Sequence, residues 1–436
     1  MKHTSTALGA AAAAALFIVA GFSESFSAYP EQTADMPIGK LTALLCASAV
    51  FYFGAVRSAA PRLAVVFAIG LAMRVAGFLS HPVLEDDYFR YLWDGAVTAR
   101  GMNPYLAAPA EAAAGALKTL AAQSGGVAER INHPHLTTIY PPVAQMFFAL
   151  SHLVSEWSVF AWRSVLLFAD IAAFFILTRL ARGGAGAVIY WWNPLAVFTI
   201  FFSCHMEALI SPFVLGALWA AEKRRGSLCA ALLAVSVSVK VWTAVLIAPF
   251  LRTARERAKM SALFLLASAA LTFPLLASLE EHNSGLAAYA AGWENNSSVF
   301  AIVLMLCEGA LEAAGIHPGH GQVAARVVTA LAVAAGTGYA FFSKKLDAAG
   351  GCLFVSALVF LVIPAQFPWY YCWVIPFLAL RKGGPLWSLM LPTALLPLYY
   401  LKYGPAAEGV LSGALVWIQF VPVWAMLAFE RLTAKR

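Results

Sequence analysis

Charge is what this sequence has least of. Asp, Glu, Lys and Arg make up 12% of its 436 residues, where a soluble domain carries roughly 25%. Apolar residues reach 61%, more than a compact water-soluble interior can hold. Soluble enzymes, disordered scaffolds and secreted disulfide domains are excluded together. Cysteine is also sparse. Cys46, Cys204, Cys229, Cys307, Cys352 and Cys372 are scattered through apolar stretches without CxxC spacing, which argues against a disulfide framework or a zinc site. The net charge of +7 comes from short basic clusters between apolar runs. That pattern orients membrane helices and is no footprint of nucleic acid.

What is present is a succession of long apolar runs, each near the length that crosses a bilayer. The first, from Lys2 to about Val19, is followed by a low-charge segment without a convincing cleavage site, so an uncleaved span is expected. Leu41 to Val56 and Arg62 to Phe78 follow, separated by the basic turn Arg57–Arg62. Further cationic turns at Arg179/Arg182, Lys223–Arg225, Arg252–Lys259, Lys344–Lys345, Arg381–Lys382 and Lys435–Arg436 mark the cytoplasmic side. The opposite side then holds the one long loop, residues 80–140, and the shorter loops Ser203–Glu207, Glu280–Ser298, Pro364–Trp369 and Lys402–Glu408. The expected fold is an all-α polytopic bundle of about 12 transmembrane helices, forming a single unit over residues 1–436. Pro142–Ser155, Val299–Gly315 and Gly226–Phe250 break the parity and read as short interfacial, re-entrant or paired helices.

The long loop opens on His81-Pro-Val-Leu-Glu-Asp-Asp-Tyr-Phe-Arg-Tyr-Leu-Trp-Asp94. Glu85, Asp86 and Asp87 stand in a row beside a low-dielectric slab, and Asp87, Tyr91 and Asp94 share one side at helical spacing. A carboxylate there can serve as general base or hold a divalent ion. It can equally be an acidic helix cap, through Asp86 or Asp87. Lys240 interrupts an apolar stretch between Leu228 and Phe250, and an ionisable residue within the membrane is a functional candidate. If the stretch is a helical pair, Lys240 lies at its tip, where it could meet a phosphate. Snorkelling to an interface, or pairing with a structural carboxylate, is the plainer alternative. The pairs His133/His135 and His317/His320 lack a third ligand nearby and read as surface loops rather than metal sites. Polar clusters near His205 and Glu207, near Asn296, and around Gln366, Trp369 and Tyr370 fall on the same side as the carboxylates.

Taken in order, these segments resemble GT-C fold membrane glycosyltransferases that use polyprenyl-phosphate sugars. Bacterial polyprenyl-phosphomannose mannosyltransferases of the GT87-like group and the first mannosyltransferase of GPI-anchor synthesis are similar. The resemblance rests on Asp87-Tyr-Phe-Arg-Tyr91, Gly101-Met-Asn-Pro-Tyr105, Tyr140-Pro-Pro142, Asn193-Pro-Leu195, Val239-Lys-Val-Trp242 and Gln366-Phe-Pro-Trp-Tyr-Tyr371. Two departures stand out. The outer turn Ser203–Glu207 lacks the arginine and glycine of the eukaryotic enzymes, and the acidic motif is Glu-Asp-Asp rather than Asp-x-Asp.

The resemblance implies inverting transfer of a sugar, most plausibly mannose, from a polyprenyl monophosphate to a hydroxyl of a lipid-linked or glycan acceptor. Asp87, with Asp86 as rival, would be the base; Lys240, helped by Arg90, His205 or Lys402, would meet the phosphate. Glu85, Tyr91, Asp94, Glu207, Asn296, Gln366, Trp369 and Tyr370 would contact sugar or acceptor, with Trp369 stacking on a pyranose face. No resident cofactor is implied, and a divalent metal is not required. The partners are then the bilayer, the lipid donor and the acceptor. The alanine-rich chain and the absent retention signal point to a bacterial inner membrane, with the site facing the periplasm or exterior. The competing class is a transporter or lipid flippase, which also has broken helices and a buried lysine. It would place its ionisable residues at the midplane of two related halves, and no such symmetry is visible.

Overall fold

A computed structural model describes residues 2–27, 29, 35–112, 115–181, 184–404 and 410–433. Of the expected basic and outer turns, Arg182, the segment through Glu408 and Lys435–Arg436 lie outside the described residues. The described chain is helical throughout, with one isolated bridge between Asn295 and Ala365. Six helices are long and apolar enough to cross a membrane: Lys2–Gly21, Ile38–Arg57, Val159–Ala181, Arg257–Glu280, Gly321–Phe342 and Gly413–Thr433. Gly184–Trp191 and Pro194–Phe202, bent by 42° at a short break, pass the same test only together and make a seventh if the pair is one span. Pro194 lacks the N–H that would continue the first helix, and the Asn193 side chain caps the second by accepting from the Ala196 N–H at 3.1 Å.

The other apolar runs form shorter helices: Leu63–Phe78, Pro142–Val154, Gly226–Val237, Val241–Thr253 and Ala348–Val362. Leu63–Phe78 has 16 residues, so it rises about 24 Å, less than a hydrocarbon core of about 30 Å. Length and apolarity therefore license six or seven full spans from the expected dozen. The three segments that broke the parity are all short. Pro142–Val154 has 13 residues and Val299–Ala313 has 15, while Gly226–Thr253 folds as two helices that part at Ser238–Lys240. The described residues between 80 and 140 carry short helices joined by turns, led by the buried helix Asp87–Ala99 lying on Pro142–Val154. A methyl group at Gly95 would meet the Phe148 carbonyl oxygen at 2.4 Å, so only glycine allows that approach.

Buried cations tie these elements together. Arg74 in Leu63–Phe78 donates from Nε to Asp170 Oδ2 at 2.8 Å, and both side chains are 2% exposed. The same guanidinium donates to the Gly70 and Trp191 carbonyls and lies 3.3 Å from the Trp191 ring centre. Tyr190 donates to the second Asp170 oxygen at 2.5 Å. Three elements, Leu63–Phe78, Val159–Ala181 and Gly184–Trp191, thus meet at one ion pair. Removing one member of such a pair strands the other charge, at a cost of about 3–5 kcal/mol. Asp170→Leu is therefore expected to lower the unfolding temperature in detergent sharply, with Arg74→Met/Asp170→Leu recovering part of the loss. A single variant as stable as the parent would show that the pair does not hold the bundle.

Candidate active site

The acidic turn is pinned from below by a second buried cation. Arg163 donates from Nη1 to the Ser80 carbonyl at 2.8 Å. The Val83 N–H donates to the Phe202 carbonyl at 3.0 Å, and the Ser203 hydroxyl donates to the Val83 carbonyl at 2.8 Å. The residues before Asp86 thus run along the end of the broken span. Leu84 and Glu85 then take left-handed conformations, with φ of 51° and 54°. Such strain in non-glycine residues costs about 1–3 kcal/mol each and collects at functional sites. His133, Cys204 and Asn296 share this conformation, with φ of 46°, 63° and 52°, and all three lie at or beside this region.

The turn delivers Glu85, Asp86 and Asp87 to the wall of one cavity of about 210 Å³. Asp86 stands at the N-cap of Asp87–Ala99, yet its carboxylate makes no capping bond. Instead Asn132 Nδ2 donates to Asp86 Oδ1 at 2.8 Å and to Asp87 Oδ1 at 2.9 Å. The capping alternative thus fails for Asp86. Burial, and after it the charge of Asp87, pushes the Asp86 carboxyl up to about 6, with the Asn132 amide opposing.

Across the cavity stands Lys240, at the tip of the helical pair as the apolar pattern predicted. Its ammonium donates to Glu207 Oε1 at 2.9 Å and lies 4.8 Å from the Tyr370 ring centre. Glu207 is 1% exposed and Lys240 19%, so the carboxylate is sealed while the ammonium reaches the opening. His205 lies between the two sets of charges. It is fully buried, its Nδ1 is 3.7 Å from Asp87 Oδ2, and neither ring nitrogen has a hydrogen-bond partner. Burial, and then the Lys240 charge, hold the imidazole well below its ordinary range, so it is neutral at pH 7. His205 therefore adds no second cation to Lys240; it faces Asp87.

The remaining candidates divide. Arg90 lines the cavity, with Nη2 donating to the His133 and Leu136 carbonyls at 3.0 Å each. Trp369 and Tyr370 line it too. The Trp369 ring, however, is already stacked with His205 at 3.7 Å and Phe367 at 4.4 Å, so stacking on a pyranose face gives way to an edge contact. Lys402 stands behind the wall, donating to Tyr399 at 2.5 Å and Asn295 at 3.4 Å. Its neighbour Tyr403 donates to Glu85 at 2.9 Å. Burial pushes the Glu85 carboxyl up and the Lys402 ammonium down, each opposed by the other's charge.

Tyr91 and Asp94 do not join the wall. Tyr91 packs among Phe148, Tyr140 and Trp162, and Asp94 accepts from Gln145 at 3.1 Å. Gln366 is a structural fastener: its Oε1 accepts from the Ser298 N–H and hydroxyl, and its Nε2 donates to Phe360 O. Asn296 likewise donates to the Gln366 carbonyl and to Gln419. Sequence reasoning missed Asn132, Tyr289, Trp293, Asn295, Tyr399 and Tyr403, all on the wall. Asn132 sits one residue before His133-Pro-His135, and only tertiary contact reveals its role. Among the described residues no group of three or more His, Cys, Asp and Glu side chains could hold a metal ion.

The described residues thus form a polytopic helical protein with carboxylates and a lysine on one small aromatic-walled cavity. The sequence matches the MptA/B family, described as alpha-(1->6)-mannopyranosyltransferase, N-terminal domain, over residues 38–256. That stretch is half of the chain and holds the acidic turn, His205, Glu207 and Lys240. No curated protein and no solved structure matches. The chain belongs to this mannosyltransferase family, whose donor is polyprenyl-phosphomannose.

The Asn132 bridge has a measurable consequence. A carboxyl raised to about 6 is protonated below that pH, so transfer that needs both aspartates ionised falls as pH drops through about 6. Asn132→Ala removes the N–H that favours the charged form. The acid limb of its pH–rate profile is expected to move upward relative to wild type, and an unmoved limb would detach Asp86 from the rate.

Proposed function

We propose that the enzyme transfers mannose with inversion from a polyprenyl monophosphate to a hydroxyl of a lipid-linked or glycan acceptor. The observation that carries this reading is that Asp87 and Lys240 line the same cavity from opposite segments. Asp87 takes the acceptor proton as the oxygen bonds to C1 of the sugar. The bond from C1 to the phosphate oxygen breaks, and the polyprenyl phosphate leaves with its charge met by Lys240 and, across the wall, Arg90. Glu207 keeps Lys240 aimed, and Asn132 keeps the two aspartates side by side. Asp86 remains the rival base. Glu85, Tyr370 and the edge of Trp369 contact sugar or acceptor from the wall.

In this reading the shorter apolar helices complete about 12 crossings with the long ones, and the whole chain works as one membrane unit. The basic turns face the cytoplasm of a bacterial inner membrane, and the acidic turn faces out. The convergence of those turns supports this sidedness. Arg224 and Arg225 share one cavity with Arg255 and Lys259, and Arg252 shares another with Lys344, Lys345, Arg381 and Lys382.

The test is transfer from radiolabelled polyprenyl-phosphomannose to a lipid extract, in membranes holding equal amounts of each variant. Asp87→Asn is expected to lower the rate by about 10²–10⁴, and Lys240→Ala by about 10²–10³. Undiminished transfer by Asp87→Asn beside a dead Asp86→Asn would move the base by one residue. Undiminished transfer by both would remove the acidic turn from the chemistry.

A further inference from the structure

The helical pair that carries Lys240 at its tip has an unusual base. Its two ends, at Arg225 and Thr253, flank a cavity of about 820 Å³ lined by Arg224, Arg225, Arg255 and Lys259. The first helix, Gly226–Val237, has 12 residues, so this cavity lies roughly 18 Å below the tip. It belongs to the end of the bundle opposite the acidic turn.

Two features distinguish it from an ordinary cationic turn. The first is uncompensated charge. Lys259 pairs with Glu256 at 3.2 Å, and Arg225 lies 5.6 Å from the Trp219 ring centre. The guanidinium groups of Arg224 and Arg255 have no hydrogen bond, ion pair or ring contact in the described structure. Arg224 is also held in a left-handed backbone conformation, with φ of 56°. The second feature is an apolar floor. Leu228, Phe250 and Met260 line the same cavity, and the membrane-length helix that begins at Arg257 forms one of its sides. A soluble phosphate would use the arginines and leave that floor wet; a phospholipid uses both.

We infer that this cavity binds the phosphate headgroup of an anionic phospholipid, with Arg224 and Arg255 as its principal ligands and an acyl chain along the Leu228–Phe250–Met260 floor. The arginine fork matches phosphate geometry in a way that lysine does not. Basic pockets between membrane helices recruit anionic lipid by this chemistry. The lipid closes the base of the helical pair by bridging its two ends. The proposal does not depend on the reaction assigned to the opposite cavity, since a catalytically dead enzyme would bind the same lipid.

The experiment is native mass spectrometry of the full-length protein in detergent, titrated with phosphatidylglycerol or phosphatidylcholine. Wild type is expected to retain phosphatidylglycerol in preference to phosphatidylcholine. Arg224→Gln/Arg255→Gln is expected to lower that retention about tenfold. Arg224→Lys/Arg255→Lys, which keeps the charge but not the fork, is expected to fall between them. Unfolding temperatures of both double variants should match wild type, because the two side chains are exposed and unpartnered. Equal retention of the two lipids by wild type, or undiminished retention by the glutamine variant, would overturn the site. A competition arm separates the sources of phosphate. Displacement of the lipid by millimolar inorganic phosphate would make the ligand a free anion and overturn the lipid assignment.

Discussion

The architecture depends on a single constraint: a charge inside the bundle must meet its partner before it meets lipid. Arg74 and Asp170, each 2% exposed, satisfy it across three helical elements. An unpaired guanidinium in hydrocarbon is costly on every scale, so the helices carrying these side chains have few arrangements open to them. Once Arg74 is bound to Asp170 and to the Gly70 and Trp191 carbonyls, the broken span stands against Leu63–Phe78. Arg163 extends the same logic toward the site by holding the Ser80 carbonyl. The acidic turn therefore hangs from Arg163 directly and from Arg74 through the broken span, and its left-handed residues are held by contacts around them. The strain at Leu84 and Glu85 is a cost of aiming three carboxylates into one cavity.

The same constraint governs the site. Glu207 is sealed and Lys240 reaches the opening. A lysine with no carboxylate behind it would snorkel away; a lysine with both faces buried could not meet a ligand. His205 adds a neutral ring between this pair and Asp87, so the positive and negative sides are separated by a polar but uncharged wall.

Much of this was legible in the sequence because charge is so rare in it. A lysine between two apolar halves signalled the helical pair, and three acids after an apolar run signalled the turn. Both signals are local. What stayed hidden depends on tertiary approach. Asn132 is one polar residue in a polar stretch, and nothing around it foretells a bridge between two aspartates. Gln366 looked like a sugar ligand because a glutamine beside aromatics in an outer loop fits that role. Backbone near Ser298 and Phe360 claims it instead, since buried peptide groups need partners. Trp369 was expected to stack on a pyranose face; it lines the cavity with its ring already stacked with His205 and Phe367, a contact that cannot be seen in a sequence. The count of full spans was blurred for a related reason. Apolar runs report burial, while crossing depends on where Pro194 and Lys240 break the helices.

The distribution of charge also gives the proposed reaction a direction. A polyprenyl phosphate is an anion, and Glu85, Asp86 and Asp87 repel it from their side of the cavity. Lys240 attracts it to the opposite side. The sugar at the junction is then presented to the carboxylates by its far face, which is where an incoming hydroxyl must lie for inversion at C1. Asp86 sets the acid limit of the arrangement, because burial, and after it the charge of Asp87, pushes its carboxyl up to about 6. Asp87 stands beside the buried imidazole of His205, 3.7 Å from its Nδ1. One amide thus fixes both acids on the wall that the proposed base must occupy.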